Sequence, residues 1–169
     1  MKSVVAFLAA LILATVSFGQ TVNTISKKSV NDGKKIVLGP VDNKATIAEA
    51  NKVFAEIDQN FKAINQPASP SAAAEFSVYV LEGEGTLENI MALFPGRQLA
   101  VTQGQAIALW ETYKDYLEVR DVLMVIRSKD KNYLVQFQTS GSPAKTSAHL
   151  WTIDDYVTLY GKPILITIK

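Results

Sequence analysis

An acidic, glycine-containing stretch, Leu-Glu-Gly-Glu-Gly-Thr-Leu-Glu-Asn at 81–89, places three carboxylates within nine residues. Such a group suits a metal cradle, an acid/base pair or a phosphate loop. A calcium loop needs a bidentate Glu at its twelfth position, and counting from Glu82 that position is Leu93. No Gly-Lys-Ser/Thr follows the glycines, and carboxylates repel a phosphate. The stretch therefore favours a turn leading into a helix, with Thr86 as its N-cap and Glu88 in its first turn.

His149 is the sole histidine, so any Ser-His-Asp arrangement must use it. Ser147, Asp154 and Asp155 are the nearby partners, but no Gly-x-Ser-x-Gly elbow occurs. The neighbours of His149 are strand-like, which favours a histidine on a strand; the alternative is a general base, with Asp154 as the second weak catalytic candidate. One His and no Cys would leave a zinc site dependent on three converging carboxylates. We expect no metal and no cofactor.

Aromatic residues are concentrated on one predicted helix, at Trp110, Tyr113 and Tyr116. The helical spacing of Trp110, Tyr113 and Leu117 predicts contacts with a core, whereas Tyr116 lies off the centre of that stripe. Because Trp and Tyr are enriched in binding surfaces, the alternative is a patch formed by Trp110, Tyr113 and Tyr116 that contacts a protein or glycan.

The first nineteen residues have the layout of a secretory signal peptide. Lys2 precedes an apolar run of thirteen residues, 4–16, and Ser17 and Gly19 suit a cleavage before Gln20. A bilayer span needs roughly 20 residues, so an uncleaved anchor is the weaker alternative, and we expect no stable membrane span after cleavage. The chain has no cysteine and so no disulfide. We expect a secreted or periplasmic protein of bacterial type.

The charges are balanced once that segment is removed. The whole chain has 17 Lys and Arg against 16 Asp and Glu, and cleavage takes away one basic residue, Lys2. A neutral chain is not steered electrostatically toward nucleic acid or anionic lipid. We therefore expect no nucleic-acid partner.

The segment before residue 75 divides into three predicted parts. Residues 20–45 are polar and predict a flexible N-terminal segment. Residues 46–65 predict an amphipathic helix, because Thr46 and Glu49 form a capping-box pattern and apolar residues recur with a period near 3.5. Residues 66–74, with two prolines, predict a linker. The helix predicts docking on its own domain; the alternative is a homo-oligomer seam through Ile47, Phe54, Ile57, Phe61 and Ile64.

Residues 75–169 predict a compact α+β domain. Strands are predicted at 76–81, 122–126, 133–139, 147–152 and 163–168, and Ile36–Leu38 is a further short strand. Three helices are predicted. One runs from Leu87 to Phe94, a second runs from the Thr102–Gln105 capping box to about Val119, and a short third one lies over 152–160. The expected fold is a small, mostly antiparallel sheet packed by two or three helices, preceded by the amphipathic helix on its linker.

These patterns favour an exported, non-catalytic protein that binds a protein or a cell-envelope component. The first alternative is a secreted hydrolase that uses His149 with Asp154 or with a glutamate of the 82–88 loop. The second is a structural subunit that associates with itself through the stripe of 47–64. Whether the protein is an enzyme is left open by the sequence, which favours a binding role because no nucleophile, metal or cofactor motif is recognised.

Overall fold

The computed structural model describes residues 24–30, 32–95, 99–141, 145–152 and 155–169. The strands are β1 (Ser26–Ser29), β2 (Ile36–Leu38), β3 (Glu56–Ile57), β4 (Ala74–Thr86), β5 (Ala100–Val101), β6 (Val122–Ser128), β7 (Lys131–Ser140), β8 (Lys145–Trp151), β9 (Tyr156–Leu159) and β10 (Ile164–Ile168). The α-helices are α1 (Leu87–Ala92), α2 (Gln103–Thr112) and α3 (Lys114–Leu117), and two 3₁₀ segments span Ile47–Glu49 and Gln59–Ile64.

The strands form one mixed sheet in the order β1-β4-β10-β6-β7-β8-β3. β4 is antiparallel to β10, which is parallel to β6, and β6, β7 and β8 form an antiparallel meander. β3 adds to β8 in parallel, β5 adds to β6 in parallel, and β2 and β9 both pair with β4. β4 therefore joins β1, β2 and β9 to the rest of the sheet.

The predicted fold class, a small antiparallel sheet packed by helices, is wrong. Strands make up 43 % of the described residues and helices 21 %, and the sheet is large and mixed. The predicted and observed sheets differ mainly at strands that pair with a strand far away in the sequence. β1 and β2 both pair with one side of β4, and β9 pairs with the C-terminal part of β4. A pairing partner far away in sequence leaves no local pattern, so β1 and β9 escaped prediction, whereas the strand predicted at Ile36–Leu38 is observed as β2.

Both faces of the sheet are covered, which explains the continuous apolar run of β6. Alternate residues of β6 face opposite sides. Val122, Met124 and Ile126 belong to a core shared with α2 and the 47–64 region, whereas Leu123 and Val125 belong to a core shared with α1 and β9. The predicted strands at 122–126 and 133–139 are confirmed as β6 and β7.

The predicted amphipathic helix over 46–65 on a linker is wrong. The segment contains two short 3₁₀ pieces with β3 between them, and Thr46 makes no capping bond, since its hydroxyl donates to Asn65 Oδ1. The apolar stripe lies in the core instead of on a helix surface: Phe54 and Phe61 are 1 % and 0 % exposed.

The same burial bears on the expected homo-oligomer seam. Four of its five residues are buried inside the chain and the fifth is partly buried: Ile47, Phe54, Phe61, Ile64 and Ile57. The seam is therefore not available to a second copy while this fold is intact.

The expected turn at 82–85 is also wrong, because these residues continue β4: Glu82 pairs with β1, and residues 83–86 pair with β9. Gly83 has a φ of 111°, and a Cβ there would collide with the carbonyl of Thr24, so the glycine is required by close backbone approach. Thr86 is nevertheless the N-cap of α1, in a capping box with Asn89, as the sequence predicted. The helix expected after Thr152 is wrong in the same way, since residues 156–159 form β9.

No helix among the described ranges is long and apolar enough to cross a membrane.

Candidate binding groove

A buried asparagine fastens the 66–74 segment to the start of α2. Asn43 is 1 % exposed and has a left-handed backbone, with φ at 56°. Its Oδ1 accepts from the Thr102 hydroxyl at 2.6 Å, its Nδ2 donates to the Ser69 carbonyl at 2.6 Å, and its own carbonyl accepts from the Ala68 amide at 3.1 Å. Because buried polar groups are costly unless satisfied, these bonds define where the segment lies.

A buried glutamine makes a second attachment. Gln103 Oε1 accepts from the Ile47 amide at 2.9 Å, and its Nε2 donates to the Ile64 carbonyl at 2.7 Å. The oxygen and the nitrogen of the Gln103 side-chain amide therefore both hold the two 3₁₀ segments against α2. Thr102 and Gln105 form the capping box that the sequence predicted at the same helix start.

These attachments leave an open groove of about 720 Å³ between the 66–74 segment and the ends of β5 and β6. It is lined by residues 66–74, residues 100–102, Gln105, residues 127–129 and Ile168. Small-molecule sites have volumes of roughly 300–1,000 Å³, and the volume of this groove lies within that range.

The charge of the groove is positive. Arg127 and Lys129 line it, and none of the described residues that line it is acidic. Both cations are exposed, and neither forms an ion pair within the described part of the chain. The N-terminal end of α2, which carries partial positive charge, opens beside Thr102 at the same groove. An anionic group therefore fits here better than a cation.

The wall formed by 66–74 presents unpaired peptide groups. The amides of Ser69, Ala72 and Ala73 donate no hydrogen bond to any described residue, and all three residues are exposed. Short side chains leave these donors accessible. They are available to a carbonyl or carboxylate oxygen of a ligand.

The weak catalytic candidates lie away from this groove. His149 is on β8, where its Nε2 is 3.1 Å from the Ser147 hydroxyl, which also donates to the Gln138 carbonyl at 3.2 Å. No carboxylate of a described residue is within ion-pair distance of His149. Asp154 lies outside the described residues, so the pair His149–Asp154 has no geometry to report.

The acidic residues of the 81–89 stretch serve separate contacts. Glu82 pairs with Lys162 at 2.8 Å, and Glu84 hydrogen-bonds Tyr156, whose pKa is raised by burial and by Glu84. Glu88 is in the first turn of α1, as expected from the helix dipole. Within the described ranges, no group of three or more His, Asp or Glu is arranged to hold a metal ion.

The three aromatic residues predicted to bind a partner contact the chain itself. Trp110 is 1 % exposed and packs beside both Phe54 and Phe137, with ring centroids 6.2 and 5.4 Å away. The Tyr113 hydroxyl accepts from the Val37 amide at 2.8 Å and donates to the Val37 carbonyl at 2.7 Å, which closes the free edge of β2.

Tyr116 holds the loop before β2. Its hydroxyl donates to Asp32 Oδ2 at 2.7 Å, and Lys34 and Arg120 lie over its ring at 5.7 and 4.4 Å. Burial raises the pKa of Tyr116, and the hydrogen bond and charge of Asp32 raise it further, to about 12. In return, the Tyr116 hydrogen bond and the Lys34 amide lower the pKa of Asp32.

Replacing Asp32 with Asn is expected to lower the pKa of Tyr116 from about 12 toward its ordinary 10. A raised tyrosine pKa means that the contact stabilises the fold below pH 10 and is lost as pH rises through 12. For Asp32 the pH dependence is reversed: because its pKa is lowered, the stabilisation that its carboxylate gives the fold is lost as the pH falls. Tyrosinate absorbance in an alkaline titration measures the change, and Tyr116→Phe identifies the component that belongs to Tyr116. The exposed Asp130→Asn is the control; an unchanged titration in Asp32→Asn would contradict the assignment.

Sequence reasoning missed the groove because its parts are far apart in the chain. The sequence predicts a linker for the 66–74 segment. The available signal was the run of short side chains between prolines, which exposes backbone. Nothing in the sequence indicates that this run lies beside Arg127 and Lys129.

Comparisons of the chain with protein-family models, with curated proteins and with solved structures found no match.

Proposed function

We propose that this chain is an exported, non-catalytic binding protein and that the groove along 66–74 is its binding site. The observation that carries the proposal is the combination, in one place, of a groove of about 720 Å³, two cations without an ion-pair partner among the described residues and exposed residues whose amides have no partner there either. Such groups orient a ligand and hold it; none of them is a nucleophile with an adjacent base.

The two alternatives receive less support. A hydrolase would need His149, which contacts Ser147 on its own strand, lies outside the groove lining and has no described carboxylate beside it. A self-associating subunit would need the stripe of 47–64, whose largest side chains are buried. The binding role uses a surface that is open.

Export rests on the pattern of residues 1–19 and predicts a mature N-terminus at Gln20. Expression of the full chain in a bacterium, followed by intact-mass measurement of the periplasmic and medium fractions, tests this. A mass that begins at Gln20 supports export. A chain that keeps residues 1–19 and sediments with membranes supports the anchor instead.

Binding in the groove is tested by nuclear magnetic resonance with a fragment library containing carboxylates, amines, sugars and short peptides. Amide shifts are expected to cluster on Ala72, Ala73 and Arg127. Ala72→Trp should abolish these shifts, because the indole occupies the groove from an exposed position. Ala63→Trp is the matched control, since Ala63 is also exposed but does not line the groove.

Two results would overturn the proposal. One is a set of fragments whose shifts map to the surface around His149 and are unaffected by Ala72→Trp. The other is the absence of any fragment whose shifts depend on the groove.

A further inference from the structure

Resting on the proposed function, we infer that the ligand of this groove is an acidic peptide segment bound in an extended conformation. The inference adds a chemical class to the site. It rests on charge, on the arrangement of backbone donors and on the small size of the lining side chains.

The charge of the groove selects the sign of the ligand. Arg127 and Lys129 are two residues apart at the end of β6, exposed and without a carboxylate partner among the described residues. Arg in particular binds carboxylates through two parallel hydrogen bonds. Because the described lining residues include no acid, a carboxylate side chain meets the attraction of these two cations without repulsion from those residues.

The backbone of the wall selects a peptide over a free anion. Ala72 and Ala73 lead directly into β4 at Ala74, and their amides are unpaired within the described part of the chain. An extended peptide beside this segment can place a carbonyl against one such donor, as in β-strand addition. A small anion held by Arg127 and Lys129 alone would leave that donor unused.

The side chains of the wall permit this approach. Between Pro67 and Ala74 the lining residues are Ala, Ser and Pro, so little bulk separates a bound backbone from the backbone of the wall. The floor at Ala100 and Ile168 is apolar and partly exposed. It suits the small or apolar side chains that alternate with acidic ones in an extended peptide.

The test is the binding of a fluorescent, N-acetylated heptapeptide of alternating Glu and Ala to the mature chain, measured by fluorescence anisotropy. We expect saturable binding that weakens as salt is added. The same peptide with Gln in place of Glu should bind at least about tenfold more weakly, because the charge-assisted bonds are lost.

Substitutions in the groove test whether the peptide binds there. The double substitution Arg127→Gln and Lys129→Gln should weaken the Glu–Ala peptide by about tenfold or more, and Ala72→Trp should abolish binding. Lys131→Gln removes the same kind of charge just outside the groove and should change the affinity by less than about twofold. Thermal unfolding of each variant shows whether its fold is kept.

Competition with inorganic phosphate and with free glutamate tests whether the groove binds a small anion instead of a peptide. We expect that neither phosphate nor free glutamate displaces the peptide when its concentration equals that of the peptide. If they displace it at such concentrations, the groove is a small-anion site and the inference is wrong. If the peptide fails to bind while other fragments bind in the groove, the ligand class is wrong and the proposed function stands. If nothing binds there, both fail.

Discussion

Replacing Phe54 with Ala is expected to lower the free energy of unfolding of the whole chain by roughly 3–5 kcal/mol. Phe54 is 1 % exposed, stacks on Phe137 of β7 at 5.0 Å and lies 6.2 Å from Trp110 of α2. Its removal leaves a cavity between the 46–65 segment, the helix and the sheet. Chemical denaturation of the mature chain measures the effect.

The matched control is Tyr160→Ala, because Tyr160 is an aromatic residue that is 81 % exposed. It should change the free energy of unfolding by less than about 0.5 kcal/mol. If Phe54→Ala also changed it by that little, the 46–65 segment would be an appendage and the core described above would be wrong.

Replacing Gly104 with Ala is expected to destabilise the fold by roughly 2–4 kcal/mol. In an ordinary helix the same change stabilises by about 1 kcal/mol, because Ala is the better helix former. Here the new Cβ would lie 2.8 Å from Asn43 Cα and 2.7 Å from Asn43 Oδ1. The buried asparagine would have to move and would lose its hydrogen bonds to Thr102 and Ser69.

Gly39→Ala provides the comparison, since nothing lies within 4 Å of a Cβ at that position and its φ is not left-handed. Its effect should be close to zero or slightly stabilising. Denaturation midpoints of the two variants give the sign directly. A stabilised Gly104→Ala would show that α2 and Asn43 are not packed as described.

Local signals predicted the elements whose determinants are adjacent in sequence. The apolar run of β6, the alternation of β7 and the N-caps Thr86 and Thr102 were each predicted and are observed. A cap depends on a side chain three residues from its partner, so one sequence is sufficient. The existence of β1 and β9 depends on β4, about fifty to seventy residues away along the chain, and no local pattern contains that information.

In the 46–65 segment the apolar period correctly indicated which residues face inward, but the α-helix predicted from it is wrong. Its apolar residues are indeed on the inside, as the spacing indicated, but a chain of 3₁₀ turns with β3 between them also brings them there. What decides against an α-helix is long-range: Ala55 and Asp58 donate their amides to the Thr146 and Ala148 carbonyls of β8. These partners compete with helical hydrogen bonds and are invisible in the sequence.

The candidate groove was less predictable still. Arg127 and Lys129 follow the apolar part of a strand, where basic residues commonly protect edges, and a proline-rich run commonly links domains. Contacts between residues far apart in the chain, those of Asn43 and the bridge between Val41 and Ser71 among them, place the proline-rich run where it lies. The aromatic residues that did attract attention, Tyr113 and Tyr116, hold the loop and the edge strand of residues 32–37.

The account depends on the 39–73 region being part of the sheet structure, since this region completes the core and forms the groove wall. A disulfide between Glu56→Cys and Ser147→Cys tests this most directly, because these residues are direct partners of β3 and β8 and the chain has no other cysteine. Neighbouring strands lie within the Cα separation that a disulfide requires. We predict rapid intramolecular oxidation of the mature chain, detected by mass and thiol titration, while the mispaired Lys52→Cys with Ser147→Cys stays reduced. If both pairs kept free thiols, or both oxidised equally, the 39–73 region would not be held on the sheet and the groove would not exist.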